Sequence, residues 1–293
     1  MFEPHRFGND RVSLTSYARS PKAVTAKGLL YVLLIASSIT MLLPFLWMIS
    51  ASLKTNLDVF EFPIQWVPKN PQWSNYVEIW HKIDFARYYF NTIKLTVIIT
   101  LAQLLTCSLA AYAFAKIDFP ERNALFVGYI ATMIVPFQVL MIPQFIILRN
   151  LGLVNTHLAL ILLQSFSPFG VFLLRQFYLN VPNELLEAAR IDGLSEFGIY
   201  RTIMLPLSRP ALATLTILTF VFVWNDFLGP LIYLHSPKLR TIQLGIRMFI
   251  SQYSADYALI MAASVCSLVP VVIIFLAAQK YFVEGISFSG LKG

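Results

Sequence analysis

Long stretches without a single Asp, Glu, Lys or Arg dominate the chain, at 28–53, 95–115, 123–148, 150–174, 210–225 and 257–279. A helix needs about 20 apolar residues to cross the hydrocarbon core of a bilayer. The fifth stretch is short by itself, but beyond Asp226 the apolar sequence resumes as FLGPLIYL, which predicts one helix over about 211–234. The expected fold class is therefore all-α, a polytopic membrane protein with six transmembrane helices. Composition agrees: 57% of the residues are hydrophobic, 13% are charged and the mean hydropathy is +0.67, far from the usage of soluble domains.

The net charge of +7 does not point to nucleic acid, because the basic residues are dispersed between apolar runs. They read as orientation signals. Arg6, Arg11, Arg19, Lys22 and Lys27 precede the first span against only Glu3 and Asp10, which predicts a cytoplasmic tail over 1–27. That tail has no apolar h-region, so the first span is expected to be retained rather than removed as a signal peptide. An even span count then puts both termini in the cytoplasm, with a permease domain over 28–283, a cytoplasmic loop at 176–209 inside it, and a tail over 284–293. The outer loop at 54–87, rich in Pro and Trp, predicts an ordered, partly interfacial cap.

The stretch NELLEAARIDGLSEFGIYRTIMLPLSRP, residues 183–210, is polar yet lies between two spans. Asn183 is expected to cap a helix whose first turn carries Glu184 and Glu187, where the helix dipole favours acids. Gly193 is expected to end it in the left-handed conformation. Ser195 should cap a second helix that stops near Pro206. The result is a helix-turn-helix bracket whose small residues Ala188, Ala189 and Gly193 permit close approach, with Glu187 and Asp192 as charge partners at the edge. Docking to a partner and packing against its own membrane domain are both open to such an element.

The motif residues Glu187, Ala188, Ala189, Gly193, Ile203, Leu205 and Pro206 resemble the EAA-type cytoplasmic loop of permease subunits from binding-protein-dependent ATP-binding cassette importers. FVWNDFLGPLIYL and the terminal FVEGISFSGLKG are similar to the second, six-span permease of maltose-type carbohydrate importers. The resemblance implies a coupling helix that sits in a cleft of a separate ATPase subunit, with Glu187, Ala188, Ala189, Asp192, Gly193 and Pro206 at the contact. It implies a bacterial cell membrane, a second homologous permease, two ATPase subunits, an extracytoplasmic solute-binding protein and a sugar substrate. It also implies that the C-terminal tail, at Gly290, Lys292 and Gly293, reaches the ATPase dimer.

Asp226 is the acid within the expected fifth span, and an intramembrane acid is a functional candidate by default. With Trp224 and Asn225 it offers a carboxylate, an amide and an aromatic face, groups that suit sugar hydroxyls and rings. Capping of a broken helix, or pairing with a basic residue of the second permease, would account for the same acid. Gln138 and Gln164 are weaker candidates, since polar side chains often tie helices together. His157 reads as an interfacial residue at a helix start.

No G-x-x-x-x-G-K-[ST] cradle for ATP phosphates is present, so ATP and Mg are expected in the partner ATPase and no cofactor in this chain. The four His are scattered without ligand spacing, and Cys107 and Cys266 lie in apolar runs, so neither catalytic nor metal residues are expected. A secondary transporter would call for inverted repeats and coupling-ion carboxylates, which this sequence does not suggest. An importer permease for a non-sugar solute stays open.

Overall fold

The computed structural model describes residues 21–250 and 255–287. Its helices are α1 (Pro21–Ser52), α2 (Ser74–Lys82), α3 (Phe85–Lys116), α4 (Arg122–Ala131), α5 (Phe137–Asn150), α6 (His157–Gln164), α7 (Pro168–Leu179), α8 (Asn183–Ile191), α9 (Glu196–Ile199), α10 (Leu205–Leu207), α11 (Arg209–Trp224), α12 (Leu228–Tyr233), α13 (Ile242–Arg247) and α14 (Tyr257–Ser287). Among the described residues there is no β-strand, only one bridge between Ile250 and Ala255. The helices at either end overrun the expected limits: α1 begins at Pro21 and α14 continues to Ser287. Gly290, Lys292 and Gly293 lie outside the described residues.

Among the described residues, four helical segments are long and apolar enough to cross a membrane: Lys27–Ser52, Phe85–Lys116, His157–Leu179 and Tyr257–Gln279. Two further pairs meet that standard only together. Arg122–Ile134 and Phe137–Asn150 are bent by 101°, and Glu196–Leu207 and Arg209–Trp224 by 77°. The first bend lies at Pro136, where Val135 is pushed to an extended ψ of 115° by the ring that follows it. A stretch free of charge is therefore not one straight helix.

The centre of the bundle is α3, an unbroken 32-residue helix without proline that packs against α7 and α11. Its side chains satisfy the carbonyls freed where α6 gives way to α7. Gln103 donates to the Gln164 carbonyl at 2.6 Å, Thr106 to that of Ser165 at 2.6 Å, and Cys107 to that of Ser167 at 3.5 Å. Thr219 of α11 donates to the Gln103 amide oxygen at 2.9 Å. A helix break in hydrocarbon persists only if neighbouring groups replace the lost backbone bonds, and α3 does so here.

The fifth span differs from expectation. Instead of one helix over 211–234, α11 ends at Trp224 and α12 begins at Leu228. Pro230 has no N–H to give to a helical bond from the preceding turn, and the Asp226 carboxylate takes the Gly229 N–H at 3.1 Å. The chain restarts there rather than continuing.

Residues 54–87, expected as an outer loop, form an ordered cap. Asn75 of α2 donates to the carbonyls of Ser52 and Lys54, both at 2.9 Å, and the Lys54 ammonium lies 4.6 Å from the Trp47 ring centroid. Lys82 pairs with Asp256 at 2.9 Å, tying the cap to the start of α14. Ile79 and Phe85 share a buried cluster with Ile242, Phe249 and Leu259. Trp66 and Trp73 remain exposed, as befits side chains at a membrane interface.

Candidate functional site

The bracket between α7 and α11 is built much as its sequence dictates, with one exception at its start. Pro182 occupies the N-cap of α8, and Asn183 makes no cap bond. Its side-chain oxygen instead accepts from Lys116 at 2.7 Å, while the same ammonium donates to the Val181 carbonyl at 2.6 Å. Lysine at the end of α3 thus captures the residue that would otherwise cap its own helix. The end of α8 is as expected. Gly193 has a φ of +86°, its N–H bonds the Arg190 carbonyl at 3.0 Å, and the Leu194 N–H bonds that of Ala189 at 3.0 Å. That pair of bonds is the Schellman arrangement, which needs a left-handed residue and so favours glycine. Ser195 then caps α9 by accepting from the Gly198 N–H at 3.2 Å.

The second arm runs from α9 through a π-helical turn, Tyr200–Met204, into α10, with Pro206 in its first turn. Leu186 and Ala189 of α8 and Ile199, Tyr200 and Met204 of the second arm are buried against Cys107, Ala111, Tyr112, Leu174 and Tyr178 of the bundle. Removing a buried side chain such as Leu186 costs about 2–5 kcal/mol. Glu196 adds a polar tie. Its carboxylate accepts from the Arg190 guanidinium at 2.7 Å and from the Tyr112 hydroxyl at 2.7 Å. Arg190, and then Tyr112, hold its pKa below the ordinary carboxylate range, and the same pairing raises that of Arg190.

With its back held this way, the bracket turns an apolar ridge to solvent. Ile191 is 87% exposed and Phe197 64%, with Leu185 and Leu194 also exposed. Of the sequence-selected residues, Glu187, Ala188, Asp192, Gly193 and Pro206 lie on the exposed side and Ala189 is buried beneath it. Leu185, Ile191, Leu194 and Phe197 were absent from that set. For Leu185 and Ile191 the signal was a large apolar residue off the inward period of α8, beside the acids.

Asp226 sits in the break between α11 and α12. One carboxylate oxygen caps the restart at Gly229, and the other accepts the Gln164 amide at 2.7 Å, joining the end of α6 to the break between α11 and α12. It helps line a small cavity with Thr92, Gln164, Pro230 and Thr241. Asn225 is exposed, and its amide oxygen accepts from Gln243 at 3.4 Å. Trp224 is 1% exposed, stacked on Phe220 and donating to the Ser267 carbonyl at 2.9 Å, so in this conformation its ring packs against protein on both faces and its edge. His157 opens α6, and its Nε2 lies 2.9 Å from the Leu239 carbonyl. Among the described residues no three His, Cys, Asp or Glu side chains converge as metal ligands.

The chain matches the family described as binding-protein-dependent transport system inner membrane component over residues 104–288, a region that includes the bracket, the break at Asp226 and α14. The chain belongs to that family. It is thus a multi-pass inner membrane component of an importer, a permease without catalytic chemistry of its own. It is 36% identical over 253 residues to the arabinooligosaccharides transport system permease protein AraQ of Halalkalibacterium halodurans, covering 85% of this chain and 91% of that protein. It is 33% identical over 264 residues to the sn-glycerol-3-phosphate transport system permease protein UgpE of Yersinia enterocolitica, covering 87% and 94%. Among solved structures, a bacterial ABC transporter involved in the import of the acidic polysaccharide alginate contains a chain that superposes with a TM-score of 0.80 at 25% identity, covering 90% of this permease and 99% of that chain.

Proposed function

We propose that this permease is one half of the translocation pathway of an ATP-driven importer of a sugar or oligosaccharide, and that the bracket at α8 and α9 is the element through which a separate ATPase drives it. The observation that carries this reading is the bracket's two-sidedness. An apolar ridge at Ile191, Leu194 and Phe197, edged by Glu187 and Asp192, is left uncovered by a scaffold that anchors the opposite face through Ala189, Ile199 and Met204. Exposed apolar ridges of this kind on a water-facing loop mark interaction sites.

On this reading the bent pair α4 and α5 contributes one span and α11 with α12 another, giving six, with the bracket outside the bilayer and both termini cytoplasmic. A second homologous permease completes the pathway, two ATPase subunits hold ATP and Mg, and an extracytoplasmic solute-binding protein docks on the outer cap. ATP-driven closure of the ATPase pair displaces the bracket and the bundle opens outward; release inward follows hydrolysis. A ligand shifts such an equilibrium only by its differential affinity for the two states, so the loaded binding protein favours the outward one. Asp226 and Asn225 flank the path at the break in the fifth span, and Trp224 supports it from behind. The C-terminal Gly290, Lys292 and Gly293 touch the ATPase pair.

Sugar is favoured by relatives named for arabinooligosaccharides and alginate. A phosphorylated polyol is the second reading, favoured by the similarity to a glycerol-3-phosphate permease. The test is to purify the tagged chain from its native membrane with its bound subunits and measure ATP hydrolysis against a panel of oligosaccharides and glycerol 3-phosphate. Stimulation by an oligosaccharide with its binding protein supports the proposal, and stimulation by glycerol 3-phosphate alone replaces the substrate class.

A further inference from the structure

The second arm of the bracket and the second span are joined by two hydrogen-bonded rungs in matched register. Tyr112 donates to Glu196 at 2.7 Å, and Ser108 and Tyr200 meet at 2.7 Å. The Ser108 hydroxyl also reaches the Leu104 carbonyl at 2.5 Å, which holds it against its own helix. Residues 108 and 112 are four apart on α3, as are 196 and 200 on the second arm, so each helix presents both groups on one face. The Tyr112 and Tyr200 rings lie between the rungs with centroids 5.6 Å apart. Arg190 closes the array by binding the other Glu196 oxygen at 2.7 Å, which connects α8 to α3 through one carboxylate.

We propose that this ladder makes the second span, rather than the covalently adjoining fifth, the route by which bracket movement reaches the outer half of the permease. The proposal rests on the coupling role assigned to the bracket above. Toward α11 the chain passes through a π-helical turn, Pro206 and a 77° bend around Ser208, a jointed path that absorbs displacement. Toward α3 it meets two short polar rungs and a buried apolar seam on a helix with no interruption. From Tyr112 to Phe85 that helix spans about 40 Å at 1.5 Å per residue, and it ends in the cap cluster with Ile79, Ile242 and Leu259. On its way it holds the loop after α12: Asn91 donates to the Lys238 and Arg240 carbonyls at 3.0 Å, and Thr92 accepts from the Ile242 N–H at 2.9 Å. Tyr112 and Glu196 are positioning residues, acting on the pathway through α3.

The experiment uses the intact complex in vesicles. Asn225→Cys, an exposed position beside the fifth-span break, serves as reporter in a Cys266→Ala background, Cys107 being buried. Its labelling by a membrane-impermeant maleimide is timed with and without ATP plus vanadate. The wild-type ladder should give a nucleotide-dependent rise of roughly fivefold or more, the lower end of ordinary coupling. Tyr112→Phe and Glu196→Gln should each remove most of that rise, and together no more than the stronger one, while ATPase binding holds and the unfolding temperature falls only slightly. A full rise in both variants overturns the ladder, as does a loss that merely tracks lost ATPase. If the unaltered ladder shows no rise with ATPase bound, the coupling role of the bracket fails first and the ladder with it.

Discussion

Ala188 and Ala189 are neighbours in the chain but face opposite ways: Ala189 is 4% exposed in the cluster beneath the bundle, and Ala188 lies on the open side of α8. A motif that reads as one pair of small residues is therefore two requirements. Ala189 must be small because Leu186, Ile199 and the bundle close over it. Ala188 must be small only if something else approaches. Ala189→Leu is expected to lower stability by about 1–3 kcal/mol through overpacking, seen as a lower unfolding temperature. Ala188→Leu should stay within about 0.5 kcal/mol yet lose co-purifying ATPase, and retention of that ATPase would return Ala188 to a plain surface position.

Gly193 has open space around the position of a Cβ, but its φ of +86° strains any other L-residue. Gly193→Ala should cost roughly 1 kcal/mol and leave ATPase capture nearly intact, whereas Gly193→Asp and Glu187→Lys should insert into the membrane and abolish capture or uptake. Normal uptake by the last two would remove the bracket from the coupling role.

Asp226→Ala strands the Gln164 amide and the Gly229 N–H together, a loss of about 1–3 kcal/mol, and should impair transport with the complex assembled. Because Gln164 and Asp226 are bonded directly, Gln164→Leu added to Asp226→Ala should cost clearly less than the sum of the two. Strict additivity in thermal unfolding would show the two side chains to be independent. Gly229→Ala should destabilise as well, since a Cβ there would meet the Asp226 carboxylate at 2.5 Å.

The pattern of apolar runs made the helical membrane fold legible, and the bracket's glycine turn and serine cap could be placed to the residue. Of the breaks, only the one at Asp226 was within reach, as a cap on a broken helix. Span counting measures charge and length, whereas breaks act through backbone hydrogen bonds: at Ser165 the replacements come from Gln103 and Thr106 on another helix, and before Pro230 from Asp226. Asn183 has the side chain of a helix cap, and only the fold reveals that Lys116 reaches it first. Asp226 could be marked as a group needing a partner, but Gln164 as that partner depends on how α6 packs against the break between α11 and α12.

The depressed pKa of Glu196 fixes the sign of a pH effect. A carboxyl whose folded value lies below its ordinary 4.5 adds stability that is complete above that value and is lost as pH falls through the folded one. With the side chain 45% exposed, the effect is small. Wild type should therefore lose more thermal stability than Glu196→Gln on titration from about pH 7 to below about pH 4, and parallel curves would show that the Arg190 and Tyr112 contacts do not depend on the charge.

The most direct measurement is solute accumulation in vesicles of defined composition. With its permease partner, ATPase subunits and loaded binding protein, the chain should concentrate solute only when ATP is supplied, and ion gradients should have no effect. Accumulation by the chain alone, driven by an ion gradient, would contradict the account.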